Sequence, residues 1–454
     1  MPTNAPSAER LREHLALSVG TVAMVTLAAF ADRAVGTALP TVVRDFDALA
    51  SFGLANAAPA ASFLVALAVA GAWADRRGPL PVLRTGVAAF AVTQLLVGLA
   101  WAMPVVVVGR LVSGAGEALI DVSLMVLVAR VLPAQLRPRM FSLVSAAWVL
   151  PSVVGPVVTG VVTEQLGWRW VFLGVLVLVG PTWLMLRPAV GSAPPVASAQ
   201  SSSASGARMG WAMLGGAGIL VLTLAGEHLS DGGPVAWLVL ALSGMVLLAS
   251  VVRLLPAGTL RGAVGLPTVV AVRGLISLAF GGVGAFLPLL LTLLHGFRPA
   301  AAGISLTVTG LAWAFGSWLQ GRDTGLRRSD VLRGGLAFMT VGLAIATLLV
   351  VPGLAPWWGL LGWGLAGVGM GISSSTLSVL VLDLSRDDEQ GRNNSAAQTS
   401  AAAAMAVGLA FGGALVAGAA PAPGPVVFGV LLGVETLAAA VGLALTGRVS
   451  SGPR

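Results

Sequence analysis

Fourteen apolar segments follow one another along this chain with only short breaks of arginine, acid, proline and glycine, and that repetition decides the solvent in which it folds. A helix needs about 20 apolar residues to cross the ~30 Å hydrocarbon layer of a bilayer. Segments that meet this rule fall at 15–40, 50–74, 81–101, 104–130, 139–164, 168–187, 209–228, 234–253, 268–294, 299–320, 331–351, 355–382, 393–418 and 425–447. Of 454 residues, 57% are hydrophobic and only 10% charged, with a mean hydropathy of +0.93, which excludes a soluble domain. Hydrocarbon offers no water to backbone amides and carbonyls, so each segment is expected to be helical and the fold all-α and polytopic.

Charge then orients the chain. All basic side chains are arginine, and with the amino terminus in the cytoplasm twenty of the 26 lie in cytoplasmic loops and tails. Arg44, Arg169 and Arg298 fall outside, while Arg33, Arg110 and Arg273 fall within spans. Such a bias puts both termini in the cytoplasm and requires an even number of crossings. The missing lysine and tyrosine point to a GC-rich bacterial genome, and hence to a bacterial cytoplasmic membrane. A net charge of +8 spread over short loops gives no basic face for nucleic acid. Without cysteine there is neither disulfide nor thiol chemistry, and three scattered histidines make no metal constellation.

The stretch 188–208, PAVGSAPPVASAQSSSASGAR, lacks apolar periodicity and reads as a flexible cytoplasmic linker. Six spans precede it and eight follow. The expected organisation is a six-helix bundle over 1–187, the linker, two inserted spans over 209–253, a second six-helix bundle over 268–447 and a cytoplasmic tail over 448–454. GAWADRRG, from Gly71 to Gly78, is a charged turn after the second span, and GSWLQGRDTGLRR from Gly316 echoes it in the second bundle. Two matched bundles are the pattern of transporters that rock around a midplane site.

Several polar residues lie where lipid makes them costly. In span four Arg110, Gly114, Glu117 and Asp121 stand at offsets 0, 4, 7 and 11, which at ~100° per residue share an arc of roughly 60°. That face is expected to line the interior, with Glu117 and Asp121 as proton carriers; a structural ion pair between Asp121 and Arg76 or Arg77 is the alternative. Asp32 in span one is a further proton-carrier candidate, its alternative being a fixed pair with Arg110. Asp75, in the charged turn, is placed to cap the amino end of span thirteen near Gly391 to Asn393 and so to latch the cytoplasmic side. Gly155, Pro156 and Gly160 in span five carry no titratable atom; they serve either ordinary helix packing or a hinge surface. Trp148, Arg33 and Arg273 are candidates for contact with substrate, and Glu435 in span fourteen is either functional or paired at the lipid edge.

These residues carry a resemblance. GAWADRRG resembles the G-x-x-x-D-R-x-G signature of the major facilitator superfamily, and GRLVSGAGEAL from Gly109 is similar to its R-x-x-x-G-x-G helix. WVLPSVVGPVVTG from Trp148 resembles the G-P-x-x-x-G antiporter signature, GWRWVF from Gly167 follows as in that branch, and ADRAVGTALPTVV from Ala31 is similar to the first helix of fourteen-helix drug and proton antiporters. The match departs at Pro79, where the family usually has a basic residue. The resemblance implies two six-helix bundles with two additional helices, a gating loop at Gly71, Asp75, Arg76, Arg77 and Gly78, a hinge at Gly155, Pro156 and Gly160, and proton-coupled export of a small organic compound such as a drug or antibiotic. The protein is then expected to act as a monomer in the bilayer with a small-molecule substrate and protons as partners, no nucleic acid, and a proton gradient in place of any cofactor. No GxxxxGK[ST] loop provides for ATP, and no nucleophile, base and orienting group cluster as in an enzyme. Proton-coupled uptake, or a scaffold or sensor without turnover, are the competing readings.

Overall fold

The computed structural model describes residues 8–132, 140, 143–144, 147–191, 204–228, 233–322, 325–386, 389–420 and 422–449. Among them are fourteen long helices: α1 (Ala8–Asp45), α2 (Phe52–Arg77), α3 (Pro79–Gly98), α4 (Met103–Val131), α5 (Val149–Gln165), α6 (Arg169–Gly191), α7 (Ala204–Glu227), α8 (Gly233–Leu254), α9 (Leu266–His295), α10 (Pro299–Gln320), α11 (Arg328–Ala346), α12 (Trp357–Asp383), α13 (Gln390–Gly418) and α14 (Pro425–Leu445). Thirteen are long and apolar enough to cross a bilayer, and α5, with 17 described residues, is the shortest. No strand occurs among the described residues. Several helices open on proline at their first or second position, where the missing amide costs nothing and the fixed φ suits a helix.

The GAWADRRG segment differs from the turn that its charges suggest. Helix α2 runs through Arg77 and α3 begins at Pro79, so the whole connection is Gly78, with φ 83°. Helical hydrogen bonding wins over the local charge because a chain leaving hydrocarbon keeps its carbonyls satisfied until the last residue. Only a residue without a Cβ takes that φ at no strain. Residue 188–191 and 204–208 of the serine-rich segment are likewise helical, in α6 and α7; its residues 192–203 lie outside the described ones.

Helices α1–α6 and α9–α14 form two bundles. In the first, Gly86 and Gly116 bring α3 and α4 into close contact, and Gly114 brings α4 onto α2. Where α1, α3 and α6 meet, the Trp168 indole donates to Asp45 at 2.7 Å, and Arg169 lies over Trp168 and donates to the Ala100 carbonyl at 3.0 Å. The second bundle is tied by Trp363, which stacks on Phe280 with centroids 4.6 Å apart and donates to the Ser305 carbonyl at 3.2 Å.

The bundles meet along two seams, both toward the side of the membrane at which α1 ends. On one, α5 runs along α10: a Cβ at Gly160 would strike the Ala300 backbone, Gly303 sits against Pro156, and Thr307 donates to the Val153 carbonyl at 3.0 Å. Glu164 closes this seam by accepting from the Ala300 amide at 3.0 Å, at the first turn of α10. On the other, Gly53 of α2 abuts Gly413 of α13, and Phe52 lies against Phe286 at 5.2 Å. The inserted helices are placed by glycine as well. Helix α7 lies against α2 through Gly215 and Gly216 and against α13 through Gly226, and α8 packs on α7 at Gly218.

Candidate functional site

The charged face of α4 turns toward α2 and α1. Its Arg110, only 6% exposed, donates from Nε to the Ala55 carbonyl at 3.2 Å. That carbonyl has lost its ordinary partner, because the residue four positions on is Pro59, which has no amide hydrogen. Two turns along, Glu117 is half-buried and accepts from the Ser113 hydroxyl at 2.8 Å. Asp32, reaching in from α1, interacts electrostatically with both Arg110 and Glu117, and Asp121 with Glu117. The structure therefore brings Asp32, Arg110 and Glu117 together, with Asp121 exposed one turn beyond Glu117.

None of these groups forms a close ion pair with another described residue, whereas Arg328 pairs with Asp383 in the second bundle. Asp121 is thus not locked to Arg76 or Arg77, which are exposed at the end of α2, and Asp32 is not locked to Arg110; the Arg130 side chain lies outside the described residues.

The span-five residues sit where two bundles touch. A Cβ at Gly155 would lie 3.5 Å from the Arg33 side chain of α1, and Pro156 and Gly160 face α10. Arg33 is half-buried and its Nε has no hydrogen-bond partner among the described residues. Trp148, at the start of α5, is 38% exposed. Arg273 stands apart from the α4 cluster, in the second bundle: it donates to the Ser374 carbonyl at 3.1 Å, to its hydroxyl at 3.3 Å and to Gln398 Oε1 at 3.2 Å, bridging α9, α12 and α13.

One alternative closes, and one expectation lies outside the described residues. Glu435 is 1% exposed and presses against Gly282 of α9, which excludes a place at the lipid edge; its carboxylate lies beside the Val283 backbone amide. The latch that Asp75 was expected to form with the start of α13 falls on side chains, Asp75 and Arg392, that lie outside the described residues. Gly71, in the same stretch, faces open space. Sequence reasoning passed over Ser113, although its spacing of four from Glu117 was a signal, and over Glu164, whose partner is on another bundle and leaves no local trace.

The fold is similar to that of a POT family transporter solved in complex with 5-aminolevulinic acid, with a TM-score of 0.68 over 96% of this chain and 97% of that one at 12% identity. A bacterial homologue of the human lysosomal transporter Spinster, in an inward-facing and unoccupied conformation, aligns with a TM-score of 0.66 over 99% and 100% of the two chains at 14% identity. In sequence, an MFS-type transporter of Aspergillus violaceofuscus is 25% identical over 77% of this chain and 64% of its own length. An uncharacterised MFS-type transporter of Mycobacterium tuberculosis is 32% identical over 38% of this chain, and the match spans about a quarter, 26%, of that relative. Two bundles around a charged interior, joined along glycine seams, are thus accompanied by a match of residues 21–323 to the Major Facilitator Superfamily, and the chain belongs to that superfamily of secondary transporters.

Proposed function

We propose that the protein is a proton-coupled exporter that moves a small organic compound out of a bacterial cell in exchange for protons. The observation that carries this reading is the placement of Asp32 and Glu117 near the guanidinium of Arg110, with Asp121 one turn beyond Glu117, inside helices that must lie in hydrocarbon. Two carboxylates facing one cation, with a third beyond them, hold excess negative charge, which a bound proton offsets. Asp32 and Glu117 carry the proton, Arg110 tunes them, and Arg33, Arg273 and Trp148 line the path of the substrate.

The mechanical part follows from the seams. With the amino terminus in the cytoplasm, as the arginine bias supports, the contacts at Gly160, Glu164 and Gly53 lie on the outer side, and the protein is then closed outward and open inward. Gly155, Pro156 and Gly160 form the surface on which α5 rolls over α10 when the outer side opens. Asp75 and its neighbours Arg76 and Arg77 act at the cytoplasmic end of α2.

Reconstituted into liposomes with an imposed pH gradient, the wild-type protein is expected to release protons inward as substrate moves outward. Screening drugs and antibiotics by substrate-elicited pH change identifies the compound. Asp32→Asn and Glu117→Gln are each expected to lower proton movement by at least tenfold while substrate still binds. Proton and substrate moving in the same direction would make the protein an uptake symporter, and no movement with any compound would favour a sensor.

A further inference from the structure

Helices α3 and α6 touch at the ends where the outer seams lie, where a Cβ at Gly98 would come within 2.7 Å of Leu173. Toward the side on which α1 begins they leave a cavity of about 800 Å³ between them. Its walls are Leu80, Val87, Ala88 and Ala91 on α3, and Leu176, Val179, Gly180 and Trp183 on α6, with Arg84 and Arg187 at its mouth. On both helices these residues recur every three or four positions, so each helix gives the cavity one continuous face. The small residues keep it open: a Cβ at Gly180 would meet nothing within 4 Å.

We propose that this groove holds one acyl chain of an anionic phospholipid, with its phosphate at Arg84 and Arg187. Residues 80 to 91 of α3 rise about 16 Å, which matches one leaflet of a ~30 Å hydrocarbon layer. Arg84 lies in the second turn of α3 and Arg187 in the last turns of α6, so both stand at the same membrane boundary, where headgroups lie. Both are exposed, and neither makes a hydrogen bond or ion pair with another described residue. Guanidinium groups pair with phosphate oxygens through two parallel hydrogen bonds, and basic residues at the cytoplasmic boundary draw anionic lipid. Trp183, one turn deeper than Arg187, takes the place of the interfacial aromatic. Val177 and Leu184, next in sequence to the lining Leu176 and Trp183, are exposed and apolar, so the groove borders lipid chains rather than a soluble anion.

The test is lipid binding to the purified full chain by native mass spectrometry, with phosphatidylglycerol, phosphatidylcholine and inorganic phosphate as probes. One phosphatidylglycerol is expected to remain bound at least tenfold more tightly than phosphatidylcholine, and Arg84→Ala with Arg187→Ala to remove that preference. Equal binding of both lipids, or an unchanged preference in the double variant, would overturn the proposal, as would competition by millimolar inorganic phosphate, which would mark a free-anion site. A second measurement does not depend on the variant's folding. Phosphatidylglycerol with brominated chains is expected to quench part of the wild-type tryptophan emission, the part that is missing in Trp183→Phe; quenching identical in the two proteins would place the lipid elsewhere.

Discussion

Arg110→Ala is expected to lower the stability of the protein by about 3–5 kcal/mol, the cost of removing one member from a buried charged group. The side chain has two duties at once. Its charge stands among Asp32 and Glu117, and its Nε serves the Ala55 carbonyl that Pro59 leaves without an amide. Alanine would leave two carboxylates without their cation and a backbone carbonyl unsatisfied where no water replaces the donor. Thermal unfolding in detergent checks the total. A cycle with Pro59→Ala separates the parts, because restoring the amide at 59 should recover about 1 kcal/mol, the net worth of one hydrogen bond, in the Arg110→Ala background. Arg110→Lys keeps the charge without the planar fork and should fall between. An Arg110→Ala protein that melts with the wild type would refute both duties.

Gly160→Leu is expected to shift the protein away from the state closed on the Gly160 side. Glycine at this position lets α5 press directly on the Ala300 backbone, and the neighbouring contacts at Gly303, Thr307 and Glu164 depend on that approach. Extra methylenes in a tight contact cost about 1–3 kcal/mol, and since the contact exists in only one of two states, the population ratio should change by roughly 5- to 150-fold. Spin labels at Leu166 and Arg298 report the separation of α5 and α10 across this seam, and the variant should show the longer distance. Gly174→Leu is the control: a Cβ there meets nothing within 4 Å, so the same side chain should leave the distance distribution as it is. A Gly160→Leu protein with the wild-type distribution would remove α5 and α10 from the gate.

Much of this architecture is legible before any coordinate is known, and the reason is solvent. Hydrocarbon forces every backbone hydrogen bond to close within its own segment, so apolar length predicts α9 and α10 to within a residue or two. The charged face of α4 is legible for a related reason: a helix repeats every 3.6 residues, and Arg110, Glu117 and Asp121 keep that beat. What each charge meets is not legible, because it depends on a second helix. The Ala55 carbonyl becomes an acceptor only when α4 turns Arg110 toward the gap made by Pro59. Glu435 is hidden by Gly282, more than a hundred residues earlier, and the Gly53–Gly413 contact joins bundles by two residues that look like any other membrane glycine. The charged stretch at Gly71 misleads for the opposite reason, since polar residues at a boundary resemble a loop although the helix continues beneath them to Arg77.

Helix α7 rests on α2 through Gly215 and Gly216 and on α13 through Gly226, and so covers from outside the very line along which the two bundles would part. Its companion α8, with Val235, Trp237, Leu238 and Met245 exposed, thickens the wall. The opposite line, between α5 and α10, has no such cover from the inserted pair. The two lines along which the bundles meet are therefore unequal toward the surrounding lipid: among the described residues, the one between α2 and α13 lies behind α7, whereas the one between α5 and α10 is flanked by the exposed Val154, Val157, Val158 and Val161 and borders hydrocarbon directly.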